Sequence, residues 1–252
     1  MATTQQDQER FEGFSKSAMS FLRQLAKNNE REWFNPRKGE FEALCRGPME
    51  VLAGEINRWL AKNAVEYVAA DVRKSVQRIY RDTRFAKDKT PYKTHIACFF
   101  QRKGFAKNAG PDFYIQISPA GVGIAGGVYM PGTDELRAIR RGILADLAGF
   151  KRACGGKALV KSMGEMRGAE LTRLPKGFES AEGSGAEAWV RRKQFFYWAE
   201  SPVAMAMDRN LGKELCERIG LMLPACEWLA GALRAGARAE EDDRPKRPKP
   251  MF

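Results

Sequence analysis

Phe113-Tyr114-Ile115-Gln116-Ile117-Ser118-Pro119-Ala120-Gly121-Val122-Gly123-Ile124-Ala125-Gly126-Gly127-Val128 is the stretch on which the fold of this 252-residue chain turns. Phe113, Ile115 and Ile117 alternate with Tyr114, Gln116 and Ser118, the period of two that marks a strand with one buried face. Ser118-Pro119-Ala120-Gly121 has the chemistry of a tight turn, and Val122 to Val128 returns as the next strand. Working outward, Ile96 to Gln101 is apolar on both faces and fits a central strand. Val76 to Asp82 alternates again. Strands near 76–82, 96–101, 112–118 and 122–128, joined by short connections, predict an antiparallel meander.

Helical periodicity brackets this sheet on both sides. Phe14, Ala18, Phe21, Leu22 and Leu25 place one apolar face on a helix over 15–27, which Asn28-Asn29 ends. Asn35-Pro36 offers an N-cap with proline behind it, so the second helix is expected to start there, with a break or kink at Gly47-Pro48. Leu136, Ile139, Ile143, Leu144 and Leu147 mark the buried stripe of a middle helix whose outer face carries Arg137, Arg140 and Arg141. The segment 150–198 is less regular and includes an apolar Phe195-Phe196-Tyr197-Trp198 run, read as a strand or core segment. Leu211, Leu215, Ile219, Met222, Cys226, Leu229 and Leu233 then step along one last core helix with Pro224 as its kink. The expectation is one α+β domain over 11–236, its antiparallel sheet packed by N-terminal, middle and C-terminal helices. Residues 1–10 and the charged tail 237–252 read as disordered.

Composition narrows the function classes. Apolar residues make up 44% and aromatics 10%, ordinary for a globular protein, and no apolar run approaches the roughly 18 to 20 residues of a membrane helix. The polar N-terminus lacks the apolar core of a signal peptide, so a cytoplasmic location is expected. Five cysteines without a Cys-x-x-Cys pair suggest reduced, buried thiols and neither a disulfide framework nor a zinc site. His95 is the only histidine, which excludes multi-histidine metal centres, and alternation puts Cys98 on the opposite strand face from it. No cofactor is implied. Gly121-Val122-Gly123-Ile124-Ala125-Gly126 matches a dinucleotide fingerprint, but it lies inside a strand pattern and not between a strand and a helix N-terminus. A bulge or a close backbone approach beside Gly126-Gly127 is the reading it supports.

The net charge of +12 concentrates where the chemistry does. From Arg78 to Lys93 there are six basic side chains, Arg78, Arg81, Arg84, Lys87, Lys89 and Lys93, against Asp82 and Asp88. Aromatic and β-branched residues hold this segment between two extended stretches, so it reads as an ordered strand-loop-strand. Arginine forks and lysine point charges, with Tyr92 and His95 adding hydrogen bonds, match a phosphate- or carboxylate-bearing small molecule or a nucleic acid. Two other readings stand beside it. One is an enzyme acting on a small phosphorylated substrate, with His95 or Asp82 as acid/base. The other is a structural or protein-interaction module in which the same charges pair internally. The sequence names no reaction and no oligomeric state.

Several of these stretches together resemble a known family. Phe21-Leu22 with Asn28-Asn29, Arg31-Glu32-Trp33-Phe34, Arg78 through Phe85, Lys87 through Lys93, Gly126-Gly127-Val128-Tyr129-Met130-Pro131 and Leu174-Pro175-Lys176-Gly177-Phe178 look like the bacterial and fungal domain-of-unknown-function family 2461, over roughly Phe14 to Leu233. The resemblance implies a common domain and no particular reaction. The chain departs from the pattern after Phe178, where Ala181-Glu182-Gly183-Ser184-Gly185 stands in place of a His-Pro element.

Overall fold

The computed structural model describes residues 10–106 and 108–242. Residues 1–9 and 243–252, on which much of the expected terminal disorder falls, lie outside them. The chain forms a single α+β domain around a four-stranded antiparallel sheet: β1 (Ile96–Phe100), β2 (Asp112–Ser118), β3 (Gly121–Val128) and β4 (Phe195–Ser201), in that spatial order. The meander of β1 to β3 is as the alternation predicts, and the register of β3 is unbroken from Gly121 to Val128. The glycine-rich stretch is therefore plain strand, without the bulge. What it does provide is close approach: a Cβ on Gly126 would lie 2.6 Å from Met222 Sδ and 2.9 Å from the Phe113 ring.

Two strand expectations change. The segment 76–82 forms only isolated bridges, Val76 to Cys98 and Tyr80 to Tyr92. The returning arm has two more residues than the outgoing one between those bridges, so no regular ladder can run through both. The fourth strand is the Phe195–Ser201 segment, which pairs with β3. This leaves β1 at an edge and not in the centre. Its second apolar face is explained by the segment before it, since Gln77 N–H donates to Ala97 O and Phe99 N–H to Ser75 O. At the β4 edge a bridge from Arg167 to Phe196 covers the start of the strand, and such flanking segments limit pairing with other chains.

All the long helices lie on one face. Ile96, Cys98, Phe100, Phe113, Ile115, Ile117, Val122, Ile124, Phe195 and Tyr197 point into a core where each is at most 1% exposed. Above them pack α1 (Lys16–Lys27), the short α2 (Arg31–Phe34) and α3 (Lys38–Phe41), α4 (Gly47–Asn63), α5 (Thr133–Ala145), α6 (Leu147–Cys154), α7 (Lys157–Met163), α8 (Glu187–Val190), α9 (Val203–Ala206) and α10 (Leu211–Asp242). The central member is α10, which meets α4, α5, α6 and β3. It runs on through Asp242, so the start of the expected tail is helical. The second helix begins at Arg31, four residues before Asn35-Pro36, and Asn35 itself is helical rather than a cap. The expected disturbance at Gly47-Pro48 takes the form of a wider π turn over Glu42–Arg46, because Pro48 brings no N–H to the turn before it. Arg140, expected on the outer face of α5, is buried and donates to Val190 O and Arg192 O. Leu144, expected inside, is exposed. Among the described residues no helix is long and apolar enough to cross a membrane, and all five cysteines are free and buried.

Candidate functional site

The basic segment is an ordered arm. Its two halves run antiparallel, with Lys93 N–H donating to Ile79 O and Arg81 N–H to Pro91 O, both at 2.8 Å. The arm is fastened to the helical layer where α1 ends. Asn29 Nδ2 donates to Tyr92 O at 2.9 Å, and Tyr92 N–H donates to Asn29 Oδ1 at 3.0 Å. The Tyr92 ring lies 4.2 Å from Phe34 and 5.4 Å from Tyr80, centroid to centroid. Burial raises the Tyr92 hydroxyl pKa above its ordinary value.

Further out the arm is held by its own charges. Arg81 bonds the Asp88 carboxylate at 2.6 Å and both oxygens of Thr90. Arg84 grips Asp82 with two nitrogens, at 3.0 and 2.8 Å. Lys89 Nζ donates to Thr83 O at 2.9 Å. At the tip Phe85 is 95% exposed, with the Arg84 guanidinium carbon 5.8 Å from its ring centroid. The Arg84 side chain holds the Asp82 carboxyl down to about 2, with the Arg84 backbone N–H adding to the effect. Asp88 is held to about 2 by the Thr90 N–H and then by Arg81.

These contacts sort the residues expected at the site. Arg78, Arg84, Lys87 and Lys89 are exposed, and Arg81 and Lys93 are half-buried. Tyr92 is 1% exposed, so it anchors the arm from within the core and presents no hydroxyl at the surface. Asp82, tied to Arg84, stays ionised throughout the neutral range and has no proton to give. His95 leaves the arm for the sheet: its Nε2 lies 3.2 Å from Tyr114 Oη, which donates to Gln116 Oε1 at 3.2 Å. Burial, and then Lys93, push the His95 pKa down, so its ring is neutral at pH 7.

The second feature is a cleft of about 700 Å³ on the helix-free face of the sheet. It spans the sheet from Gln77 beside β1 to Arg167 beside β4. Strand register puts Phe99, Tyr114, Ala125 and Trp198 in one row across it and Asp112, Gly127 and Phe196 in the next. The small residues of β3 make the floor and the aromatic ones the walls. Tyr114 and Trp198 face each other at 6.5 Å, and Trp198 leans over Gly123, where a Cβ would come within 2.5 Å of its ring. Tyr129 meets Phe196 edge to face at 5.0 Å.

Asp112 lines this cleft and is 7% exposed. Its Oδ1 accepts the Arg102 N–H at 2.8 Å. Among the described residues no group donates to Oδ2. Burial lifts its carboxyl from 3.8 to about 7, against a smaller opposing effect of that hydrogen bond. Arg102 in turn is buried and doubly bonded to Glu227 at 2.5 and 2.8 Å, with Tyr67 Oη at 3.1 Å, so the backbone group holding Asp112 is itself fixed to α10.

None of the eight expected site residues lines the cleft, although Gln77 joins it to the arm and His95 touches its Tyr114 wall. Sequence reasoning missed Asp112, Gln77, Trp198 and the exposure of Phe85. A signal existed for the first: Asp112 shares the polar side of β2 with Tyr114 and Gln116, opposite the small residues Gly127, Ala125 and Gly123 on the next strand. Among the described residues no group of three or more His, Cys, Asp or Glu side chains is placed to hold a metal ion.

One family model, described as Conserved hypothetical protein (DUF2461), matches residues 17–228. Neither the curated proteins nor the solved structures yield a match.

Proposed function

The chain belongs to this family of conserved hypothetical proteins, and from its geometry we propose that it binds single-stranded nucleic acid through the arm of residues 75–99. The observation that carries this reading is the almost fully exposed Phe85 at the tip of an arm whose two acids are already taken by Arg81 and Arg84. Arg78, Lys87 and Lys89 remain at the surface around it. An almost fully exposed aromatic ring on a basic arm, with Tyr80 also exposed on it, offers a base a stacking face and its phosphates a positive field. The arm contributes none of the expected site residues to the cleft, which favours an extended polyanion over a small phosphate. A cytoplasmic setting, expected from the sequence, is compatible with such a partner.

The internal ion pairs favour a second, structural role for two of the residues. Arg81 and Arg84 spend their hydrogen bonds on Asp88, Thr90 and Asp82 and so shape the arm. For the enzyme reading, the ionised Asp82 is left as a base and not an acid at neutral pH. The test is fluorescence anisotropy of a labelled oligothymidylate of about twenty nucleotides. Phe85→Ala is expected to weaken binding by roughly tenfold, the scale of about 1 to 3 kcal/mol per stacked base, with folding unchanged. Absence of binding by the wild type at low salt, or equal binding by Phe85→Ala, overturns the proposal.

A further inference from the structure

We propose that the cleft on the helix-free sheet face is a separate small-molecule site, and that its ligand is an amino-substituted planar heterocycle of the purine type. The inference rests on residues other than those of the arm. Three features specify the ligand. The floor at Ala125 and Gly127 is flat and nearly free of side chains, and it lies beside the facing rings of Tyr114 and Trp198, a geometry that accepts a thin ring against aromatic faces. A volume of about 700 Å³ accommodates a nucleoside and is in the usual range for small-molecule sites.

The third feature gives the polarity. Asp112 is more than nine-tenths buried, its Oδ1 is engaged by a backbone N–H, and its Oδ2 has no donor among the described residues. Oδ2 is not among the buried side-chain atoms left without a partner, so it is reached from the cleft and can accept a hydrogen bond there. A ring or exocyclic N–H of the ligand can donate to it, and the Gln77 amide, further along the lining, can take a separate donor or acceptor. Arg167 stands at the opposite rim, where it can meet an acceptor on the attached sugar. An aliphatic ligand leaves the aromatic faces unused, and a ligand without N–H donors makes no use of Asp112 Oδ2.

The probe is 2-aminopurine riboside, whose fluorescence falls when its ring stacks, titrated into the full chain. Saturable quenching is expected, displaced by adenosine or guanosine and unaffected by ribose. Asp112→Asn removes the acceptor charge, and Ala125→Leu fills the floor; each is expected to weaken binding by roughly tenfold or more. Circular dichroism establishes that Ala125→Leu remains folded. Phe85→Ala should leave the quenching intact, which separates this site from the stacking ring of the arm. Failure of the wild type to show saturable quenching, or unchanged affinity in a folded Ala125→Leu, overturns the proposal.

Discussion

Asn29 and Tyr92, 63 residues apart, exchange two hydrogen bonds in which the asparagine amide plays the part of a neighbouring strand. One side chain thereby satisfies both backbone groups of a buried tyrosine and fixes the root of the arm. Asn29→Ala leaves that N–H and C=O without partners, and the expected loss of stability is about 1 to 3 kcal/mol. Asn29→Asp keeps an acceptor and loses the donor, so it should fall between the two. Urea denaturation of the three proteins is the check.

The glycines differ sharply in what they tolerate. In Gly126→Ala the new methyl meets Met222 and Phe113 at less than contact distance, and a loss of about 1 to 3 kcal/mol is expected from overpacking. Gly127 has φ +126°, and a Cβ there would run into Phe195 O, so Gly127→Ala should be at least as damaging. Gly231 lies within α10 and a Cβ meets nothing. Gly231→Ala is therefore expected to stabilise by about 0.4 to 1 kcal/mol. Thermal melts of the three variants read out this order.

Glu227 neutralises an Arg102 side chain that is 1% exposed, while Glu227 itself is half in solvent. Truncation by Glu227→Ala strands the buried guanidinium with only Tyr67 as partner. The cost of breaking a fully buried pair is about 3 to 5 kcal/mol, and solvent access on the Glu227 side should bring it to about 1 to 3 kcal/mol. The double variant Arg102→Met with Glu227→Met should recover part of that loss, because no charge is left buried. Denaturant midpoints of the single and double variants decide it.

Asp112 makes stability depend on pH in a direction opposite to that of a salt-bridged carboxylate. Its folded pKa, about 7, lies above the ordinary 3.8, so between those values the native state holds a proton that the unfolded chain has released. Stability therefore falls as pH rises from about 4 to about 7, and above that the full cost of burying the charge remains, at most about 4 kcal/mol. Asp112→Asn should flatten this slope and be the more stable protein at pH 8. Denaturation at pH 5 and pH 8 tests it. Asp82 and Asp88, both held to about 2, act the other way: their ion pairs are intact above about pH 4 and are lost as pH falls toward 2.

Strand β2 and the helix α10 were legible because each buries a single face, so that polarity alone reports the period, while β3, buried along nearly all its length, was legible from the turn that precedes it. The 76–82 segment has the same alternation and still forms no strand, since the two additional residues of its partner arm shift the register in a way local sequence does not show. β4 was ambiguous because Phe195 to Trp198 is apolar on both faces: Phe195 and Tyr197 serve the core, Phe196 and Trp198 the cleft. Arg140 was misplaced by periodicity because its partners, Val190 O and Arg192 O, come from some fifty residues away. The charge of the arm was visible in the sequence. Its pairing into Arg81–Asp88 and Arg84–Asp82, and the cleft drawn from four strands and both sheet edges, exist only once the chain is folded.

The central claim, nucleic-acid binding by the arm, is tested most directly by the salt dependence of oligothymidylate affinity in the wild type and in Lys87→Ala with Lys89→Ala. On a single strand the log-log slope is about 0.7 per phosphate neutralised, so removal of two contacts should lower its magnitude by about 1.4 and weaken binding at low salt. A slope and affinity that match those of the wild type would place the contact elsewhere on the molecule and contradict the account.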